Sequence, residues 1–243
     1  MKRLSILAAF ELEINKLDDA INKPVTDDSL YWLNQAINKF VKERFNGNAP
    51  HYTSYEQNEK RTKDLHRLYE KVLLQEKPIA SDGVWANRNQ YEAQMYTWPS
   101  NLLYILNEDV VISDKNGGNL YDTSIFECTA DNFMYRVTNS LTDFHYKHGK
   151  ARPLRVRSGE VEDGTQTVVL LNDKNYTVQN YWISYLRRPE EITDEDPDNV
   201  DVEYNDFDDS VWFEIIKIAA QMYVENQSEP RYRTLTNEVL TQE

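Results

Sequence analysis

The segment that most constrains the fold is a predicted helix near the end of the chain, at residues 208–226. Its apolar residues cover most of the circumference of a helix instead of forming a single stripe. They are Val211, Phe213, Ile215, Ile216, Ile218, Ala219, Ala220, Met222 and Tyr223. A helix with this pattern has to be buried against more than one neighbour. We therefore expect it to pack on other helices of the same chain.

The start of the chain predicts three helices. The first runs from about Ser5 to Ile21 and the second from about Asp27 to Asn46, each with one apolar stripe. The third begins at Ser54, where Gln57 completes a capping box, and continues to Lys77. The apolar run at the N-terminus continues at helical spacing and is too short for a membrane span. We therefore interpret it as an amphipathic helix, not a signal peptide, and expect no membrane partner.

From about Ala80 the sequence becomes rich in β-branched and aromatic residues, with Asn116-Gly117-Gly118 and Asp163-Gly164 as turn signals. One helix is expected among the strands, at about 129–147. The predicted strands are 91–98, 102–106, 110–113, 154–157, 167–171 and 176–186.

These patterns predict an α+β fold. Residues 1–79 and 206–243 would form a helical bundle of three N-terminal helices and the C-terminal helix, followed by a C-terminal arm. Residues 80–205 would form a β-rich insertion with one helix, and this insertion would end in an acidic loop. At 243 residues, the chain is long enough to bury a core without disulfides or metals.

Charge is concentrated in one segment. Residues 190–209 include eleven Asp or Glu and no Lys or Arg, so most of the net charge of −14 is local. This charge argues against wrapping nucleic acid, which requires clustered cations. Part of the segment alternates like a calcium loop from Asp194, but Asn199 and Asn205 occupy the positions that need Gly and Glu. A solvated loop is the better interpretation.

No pattern in the sequence specifies chemistry. His145 and His148 have a spacing that suits metal ligands, but a polar helix end is the commoner explanation. Cys128, the only cysteine, is interpreted as a small buried core residue. The chain contains no phosphate-binding loop, dinucleotide fingerprint, nucleophile elbow or zinc-protease motif. We expect no catalytic residues, no metal site, no cofactor and no enzymatic activity.

Four segments carry a resemblance to a known family. They are residues 29–36 (SLYWLNQA), 152–155 (RPLR), 181–189 (YWISYLRRP) and a final helix that ends in EPRY at 229–232. Their order over more than 200 residues resembles the head-to-tail ring adaptor proteins, also called connector or collar proteins, of short-tailed crAss-like bacteriophages.

This resemblance implies a non-enzymatic virion protein that forms a twelve-fold ring beneath the portal, in the phage neck, after synthesis in the host cytoplasm. The implied partners are further copies of the chain, the portal protein, and other tail or ring proteins, while DNA passes through the channel without sequence-specific binding. The C-terminal arm would contact a neighbouring copy or the portal. Its candidate contact residues are Pro230, Arg231, Tyr232, Arg233 and Leu235.

A group of basic residues is the other candidate interface, formed by Arg152, Arg155, Arg157, Arg187 and Arg188. These residues are either solvated faces or cations that meet DNA phosphate or the acidic segment of a neighbouring copy. In a ring we favour the neighbouring copy, because each subunit there presents one patch to a different patch of the next. For the acidic segment itself, a channel lining, a docking site for a basic ring and a disordered connection all remain open.

Two other functions are compatible with the sequence. The chain could be another ring or tail component of the virion, or a soluble accessory enzyme with an unrecognised site. A large annular particle favours a ring protein, whereas a small discrete oligomer favours an enzyme.

Overall fold

The computed structural model describes residues 1–17, 23–46, 58–79, 90–115, 119–147, 150–162, 165–194 and 202–227. It confirms the α+β class, with five α-helices and two β-sheets in the described residues. The helices are α1 (Arg3–Leu17), α2 (Thr26–Asn46), α3 (Glu59–Asp64), α4 (Ala130–Thr138) and α5 (Asp209–Gln227). The strands are β1 (Tyr69–Leu74), β2 (Glu76–Lys77), β3 (Glu92–Thr97), β4 (Leu102–Asp114), β5 (Leu120–Ser124), β6 (Phe126–Glu127), β7 (Leu154–Glu162), β8 (Thr165–Asn172) and β9 (Tyr176–Arg187).

The chain divides into two compact units. The helical unit comprises Met1–Leu68 and Pro189–Glu243, and the β unit comprises Tyr69–Arg188. The sequence-based boundaries, at 80 and 205, lie further along the chain. The first differs because β1 and β2 pair with β9 and β3 inside the β unit. The second differs because the segment after β9 binds residues of the helical unit.

In the helical unit, α5 packs against both α1 and α2. The ring of Tyr223 on α5 lies 6.3 Å from that of Phe10 on α1 and 6.4 Å from that of Trp32 on α2, both edge-on. The buried residues of α5 lie along most of its length, which is the pattern expected for a helix with two helical neighbours. They are Val211, Trp212, Ile215, Ile216, Ala219, Ala220 and Tyr223.

The predicted third helix is wrong over most of its length. Its proposed start at Ser54 and Gln57 lies outside the described residues. In the structure Asn58 caps the short helix α3, a single 3-10 turn follows at His66–Leu68, and β1 begins at Tyr69. Of the apolar residues at helical spacing, Leu65 and Leu68 lie in the turn that follows α3, whereas Tyr69 and Val72 lie in β1. Pairing with β9 therefore overrides local helix propensity.

The β unit is built from a four-stranded and a five-stranded sheet. Their strand orders are β1-β9-β4-β5 and β2-β3-β8-β7-β6. One core cluster combines residues of both sheets, including Ile112 and Tyr181 from the first and Leu170 from the second. A second cluster joins Leu154 and Leu171 of the five-stranded sheet to residues in and after α4. Strand β8 is therefore covered on both faces, with Val168 and Leu170 in the first cluster and Val169 and Leu171 in the second.

The predicted strands agree with the structure in position but not in number. Residues 102–106 and 110–113 belong to one long strand, β4, which pairs with β9 through three register irregularities. Strands β1, β2, β5 and β6 are absent from the prediction. The turn signals at 116–118 and 163–164 lie outside the described residues.

The predicted helix at 129–147 ends early, at Thr138. The side-chain oxygen of Asn139 accepts a hydrogen bond from the N–H of Leu141 at 3.0 Å, a local bond that competes with helix continuation. Leu141 is 84% exposed, whereas Phe144 is fully buried. Within the described ranges, no helix has the length and apolar character to cross a bilayer.

Candidate interaction surfaces

The five arginines predicted as a basic interface lie on both sheets of the β unit. Arg152 precedes β7, which carries Arg155 and Arg157, while Arg187 ends β9 and Arg188 follows it. Their environments differ. The side chains of Arg157 and Arg188 are exposed, whereas that of Arg155 is buried.

Arg155 lies in a network of ion pairs inside the β unit. Its Nη1 is 2.5 Å from a carboxylate oxygen of Glu108, and its Nη2 is 2.7 Å from one of Glu127. Glu127 also binds Arg157, at 3.0 Å. Because Glu108 belongs to β4 and Arg155 to β7, this ion pair joins the two sheets. The charge of Arg155 is therefore satisfied within the subunit.

Aromatic residues complete this network. The hydroxyl of Tyr181 donates to Glu108 and accepts a hydrogen bond from Nε1 of Trp98 at 3.4 Å. The guanidinium of Arg155 lies 5.5 Å from the centre of the Trp98 ring. Burial, followed by the negative charge of Glu108, raises the pKa of Tyr181 well above its usual value. The hydroxyl therefore stays protonated and remains a donor to Glu108.

Two more of the predicted arginines are bound inside the β unit. Arg152 lies 3.3 Å from a carboxylate oxygen of Asp143, and Arg187 lies 3.2 Å from one of Glu70. Of the five predicted arginines, two therefore remain exposed to a partner: Arg157, which binds Glu127 together with Arg155, and Arg188.

The beginning of the acidic segment is bound to the first two helices. The side chain of Asn34 on α2 donates to the carbonyl of Ile192 at 3.0 Å and accepts from its N–H at 2.9 Å. Nη1 of Arg3, on α1, donates to the carbonyl of Thr193 and lies 3.0 Å from a carboxylate oxygen of Asp194. Residues 190–194 are therefore bound at defined positions although they lack regular secondary structure.

The end of the acidic segment is bound in the same way. The backbone of Tyr204 exchanges two hydrogen bonds of 2.9 Å with Met1, and the carboxylate of Asp206 accepts from the N–H of Glu190 at 2.6 Å. Asp206 is buried. A disordered connection is thus excluded for 190–194 and 202–209, while 195–201 lie outside the described residues.

Of the two candidate metal ligands, His145 and His148, the structure describes only the first. Nδ1 of His145 lies 3.7 Å from a carboxylate oxygen of Asp173, and His148 falls outside the described part of the chain. In that part, no three His, Cys, Asp or Glu side chains are arranged to hold a metal ion.

Cys128 is buried, which confirms the sequence interpretation. Burial raises the pKa of its thiol, and the positive charge of Arg136 opposes this shift only in part. A protonated thiol is a poor nucleophile, so this position suits packing.

The C-terminal candidates, Pro230, Arg231, Tyr232, Arg233 and Leu235, lie outside the described residues. Sequence reasoning missed a different feature, the two outer strands of the four-stranded sheet. Strand β1 exposes Tyr69 and Leu73, and strand β5 exposes Leu120. Residues 69–74 (YEKVLL) and 120–124 (LYDTS) do not alternate apolar and polar residues, so periodicity gave no signal for these strands.

Comparison with known protein families matches residues 21–206 to the model of phage tail ring protein 3/4 of crAss-like phages. No curated protein matches the chain. The matched range includes α2, the whole β unit and most of the acidic segment. It covers well over half of the sequence and confirms the resemblance to ring proteins of these phages. The chain therefore belongs to the crAss-like phage tail ring protein 3/4 family.

Proposed function

We propose that the protein forms a homo-oligomeric ring, a dodecamer, that joins the portal to the tail in the phage neck and surrounds the DNA channel. The match of residues 21–206 to a tail ring family carries this proposal. Portal protein and other tail or ring proteins are its axial partners. The function is adhesion between subunits, and no reaction is assigned to it.

In this proposal the helices form a bundle into which the β-rich unit is inserted, and the C-terminal arm reaches a neighbouring copy or the portal. Five residues would make that contact: Pro230, Arg231, Tyr232, Arg233 and Leu235. Arginine and tyrosine suit such a contact, since both are enriched at interfaces.

The exposed arginines supply a second contact. Arg157 and Arg188 would meet Glu190 and Glu191 of the next copy, whose side chains are also exposed. The other three predicted arginines act indirectly, because Arg152, Arg155 and Arg187 are bound to carboxylates of their own subunit. The net charge of −14 agrees with a channel through which DNA passes without sequence-specific binding.

Mass measurement in solution combined with particle imaging tests the proposal. The purified chain, alone and mixed with portal protein, should give annular particles of a mass that corresponds to many copies. A small discrete oligomer without annular particles, even in the presence of portal protein, would contradict the proposal.

Variants test the two contacts separately. Truncation after Gln227 should abolish ring closure or portal binding. A truncated chain that forms full rings and binds portal would refute the role of the arm. Arg157→Glu combined with Arg188→Glu should weaken association and reduce its dependence on salt. Lys39→Glu combined with Lys42→Glu, the same total change of charge at two exposed positions of α2, is the control.

A further inference from the structure

The two outer strands of the four-stranded sheet, β1 and β5, are candidate surfaces for ring closure. In the order β1-β9-β4-β5, the described residues pair β1 only with β9 and β5 only with β4. One side of each outer strand thus presents backbone N–H and C=O groups that another strand can bind. The exposed apolar side chains, 40% for Leu73 and 68% for Leu120, lie on these same two strands.

The directions of the strands suit a ring. Neighbouring strands in this sheet are all antiparallel, so with four strands β1 and β5 run in opposite directions. A small rotation about a ring axis changes the direction of a strand little. The β1 strand of one copy would therefore approach β5 of the next copy antiparallel, and the alternation would continue across the boundary. Contact between two different edges is also the head-to-tail interface that closes a ring.

The side chains match in one register. On β1, Leu74 lies in the core between the sheets, so Glu70 and Val72 share its face while Tyr69, Lys71 and Leu73 point to the opposite face. On β5, Tyr121 packs against that core, and Leu120, Asp122 and Ser124 point away from it. In one antiparallel register that keeps the core-facing residues of both strands on the same side, three pairs lie opposite each other on the other side: Lys71 with Asp122, Leu73 with Leu120, and Tyr69 with Ser124.

The same register is also favourable on the core side, where Val72 would meet Tyr121 and Glu70 would meet Thr123. Opposite charges and aromatic–β-branched pairs stabilise directly opposed positions of antiparallel strands. Both pairings therefore favour this register over one displaced by two residues, which would separate Lys71 from Asp122.

We infer that β1 of one subunit adds to β5 of the next with Lys71 opposite Asp122, so that the four-stranded sheets of the ring form a continuous band. This inference rests on the proposed function, because it names the surfaces through which the ring closes. Within a subunit Lys71 lies 3.2 Å from a carboxylate oxygen of Asp109. That pair is about half exposed, and such pairs contribute little, so its rearrangement does not oppose closure.

Lysine on an outer strand has a second known use, the prevention of unwanted pairing. If Lys71 only protected the edge, replacing it would increase association. If it binds Asp122 of a neighbour, replacing it by an acidic residue would decrease association. The two accounts therefore predict opposite effects of one substitution.

Disulfide cross-linking tests the contact directly. In the variant with Leu73→Cys and Leu120→Cys, mild oxidation should link neighbouring copies into a ladder of covalent multimers. Within one copy the two positions are separated by β9 and β4, about 14 Å at the usual strand spacing, which is too far for a disulfide. Each single cysteine variant serves as control and also accounts for the buried Cys128.

Imaging of the same samples separates the two hypotheses. Rings that cross-link support the inference, and rings that give no ladder overturn it while leaving the proposed function intact. Absence of rings from the unmodified chain, with and without portal protein, contradicts the proposed function and the inference together.

Charge exchange provides a second test. Lys71→Glu and Asp122→Lys, each alone, should weaken each subunit contact about fivefold, since like charges would then face each other across the strands. The double variant, with the charges exchanged, should form rings as the unmodified chain does. A double variant as weak as the single ones, or stronger association of Lys71→Glu, would overturn the inference.

Discussion

The helical unit and the β unit use buried and half-buried polar side chains for different purposes. In the helical unit, Arg3, Asn34 and Asp206 bind backbone groups of a segment that lacks regular secondary structure. In the β unit, Arg155 and Glu108 bind each other between two sheets whose backbone groups are already paired. The first arrangement fixes the path of the chain, and the second fixes one layer on another.

The difference has an energetic consequence. A lost side-chain hydrogen bond to backbone leaves neutral groups that water can reach after a small displacement. Removal of one partner of a buried ion pair instead leaves a charge in a place where water enters poorly, and this is the more destabilising change. Substitutions in the β unit network should therefore have larger effects than those at the acidic segment.

Arg155→Ala should produce the largest effect. It leaves Glu108 with only the hydroxyl of Tyr181 among the partners described above, and we expect a loss of about 3–5 kcal/mol in the free energy of unfolding. Urea denaturation would measure the loss. Arg157→Ala is the matched control, because Arg157 binds the same Glu127 from a side chain that is 62% exposed, and it should cost less than about 1 kcal/mol. Equal effects of the two variants would show that burial does not determine the contribution of this network.

Asn34→Ala should have an intermediate effect. It removes the partners of both the N–H and the C=O of Ile192, a residue whose side chain is buried, so a loss of about 1–3 kcal/mol is expected. Hydrogen exchange at the Ile192 amide should accelerate as well. Asn38→Ala, an exposed position on the same helix, should leave both the stability and this exchange rate unchanged. An unaltered exchange rate in Asn34→Ala would mean that α2 does not bind the acidic segment in solution.

Alkaline pH should weaken the β unit through its tyrosines. Burial, then the hydrogen bond to Glu70, raises the pKa of Tyr185 to about 12. The unfolded chain releases this proton near pH 10, so the contribution is complete below pH 10 and is lost as pH rises from about 10 to 12.

Tyr185→Phe tests this dependence. The variant should be less stable at pH 8, by roughly 1 kcal/mol, because it lacks the Tyr185 hydroxyl, which donates to Glu70 at 2.6 Å in the unmodified chain. Between pH 10 and 12 it should lose stability less steeply than the unmodified chain, so the gap between the two should narrow. Denaturant unfolding at several pH values measures both curves, and parallel curves would show that the Tyr185 hydroxyl does not titrate with folding.

The difference between buried and exposed elements explains which parts of the fold the sequence predicts and which it does not. Helices α1, α2 and α5 and strands β3, β8 and β9 follow from apolar periodicity, because each has buried apolar residues of its own. The sequence predicts a helix where strand β1 lies, since the side chains of this strand are mostly exposed and only pairing with β9 makes it a strand. Short outer strands carry little periodic signal of their own.

The environment of Arg155 could not be predicted from the sequence for a related reason. Arg155 alternates with Leu154 and Val156, a pattern that normally places an arginine on a solvated face. In the structure Leu154 belongs to the core beneath α4, and Arg155 faces the other sheet. A strand covered on both faces is an arrangement that one sequence does not reveal, and the acidic partner at Glu108 lies 47 residues away. The order of the segments, in contrast, was enough to identify the family.

The smallest effect is expected at an exposed ion pair of the helical unit. It can be compared directly with the buried Arg155 pair, because the two pairs have similar lengths. Nζ of Lys16 lies 2.6 Å from a carboxylate oxygen of Glu13, one turn earlier on α1. This distance is close to the 2.5 Å of the Arg155 pair, but Lys16 is 67% exposed. Lys16→Ala should therefore change the free energy of unfolding by less than about 0.5 kcal/mol, and added salt should reduce even that difference. Urea denaturation at low and high salt measures it. Because the two ion pairs have similar lengths, a loss comparable to that of Arg155→Ala would mean that distance, not burial, determines how much each pair contributes.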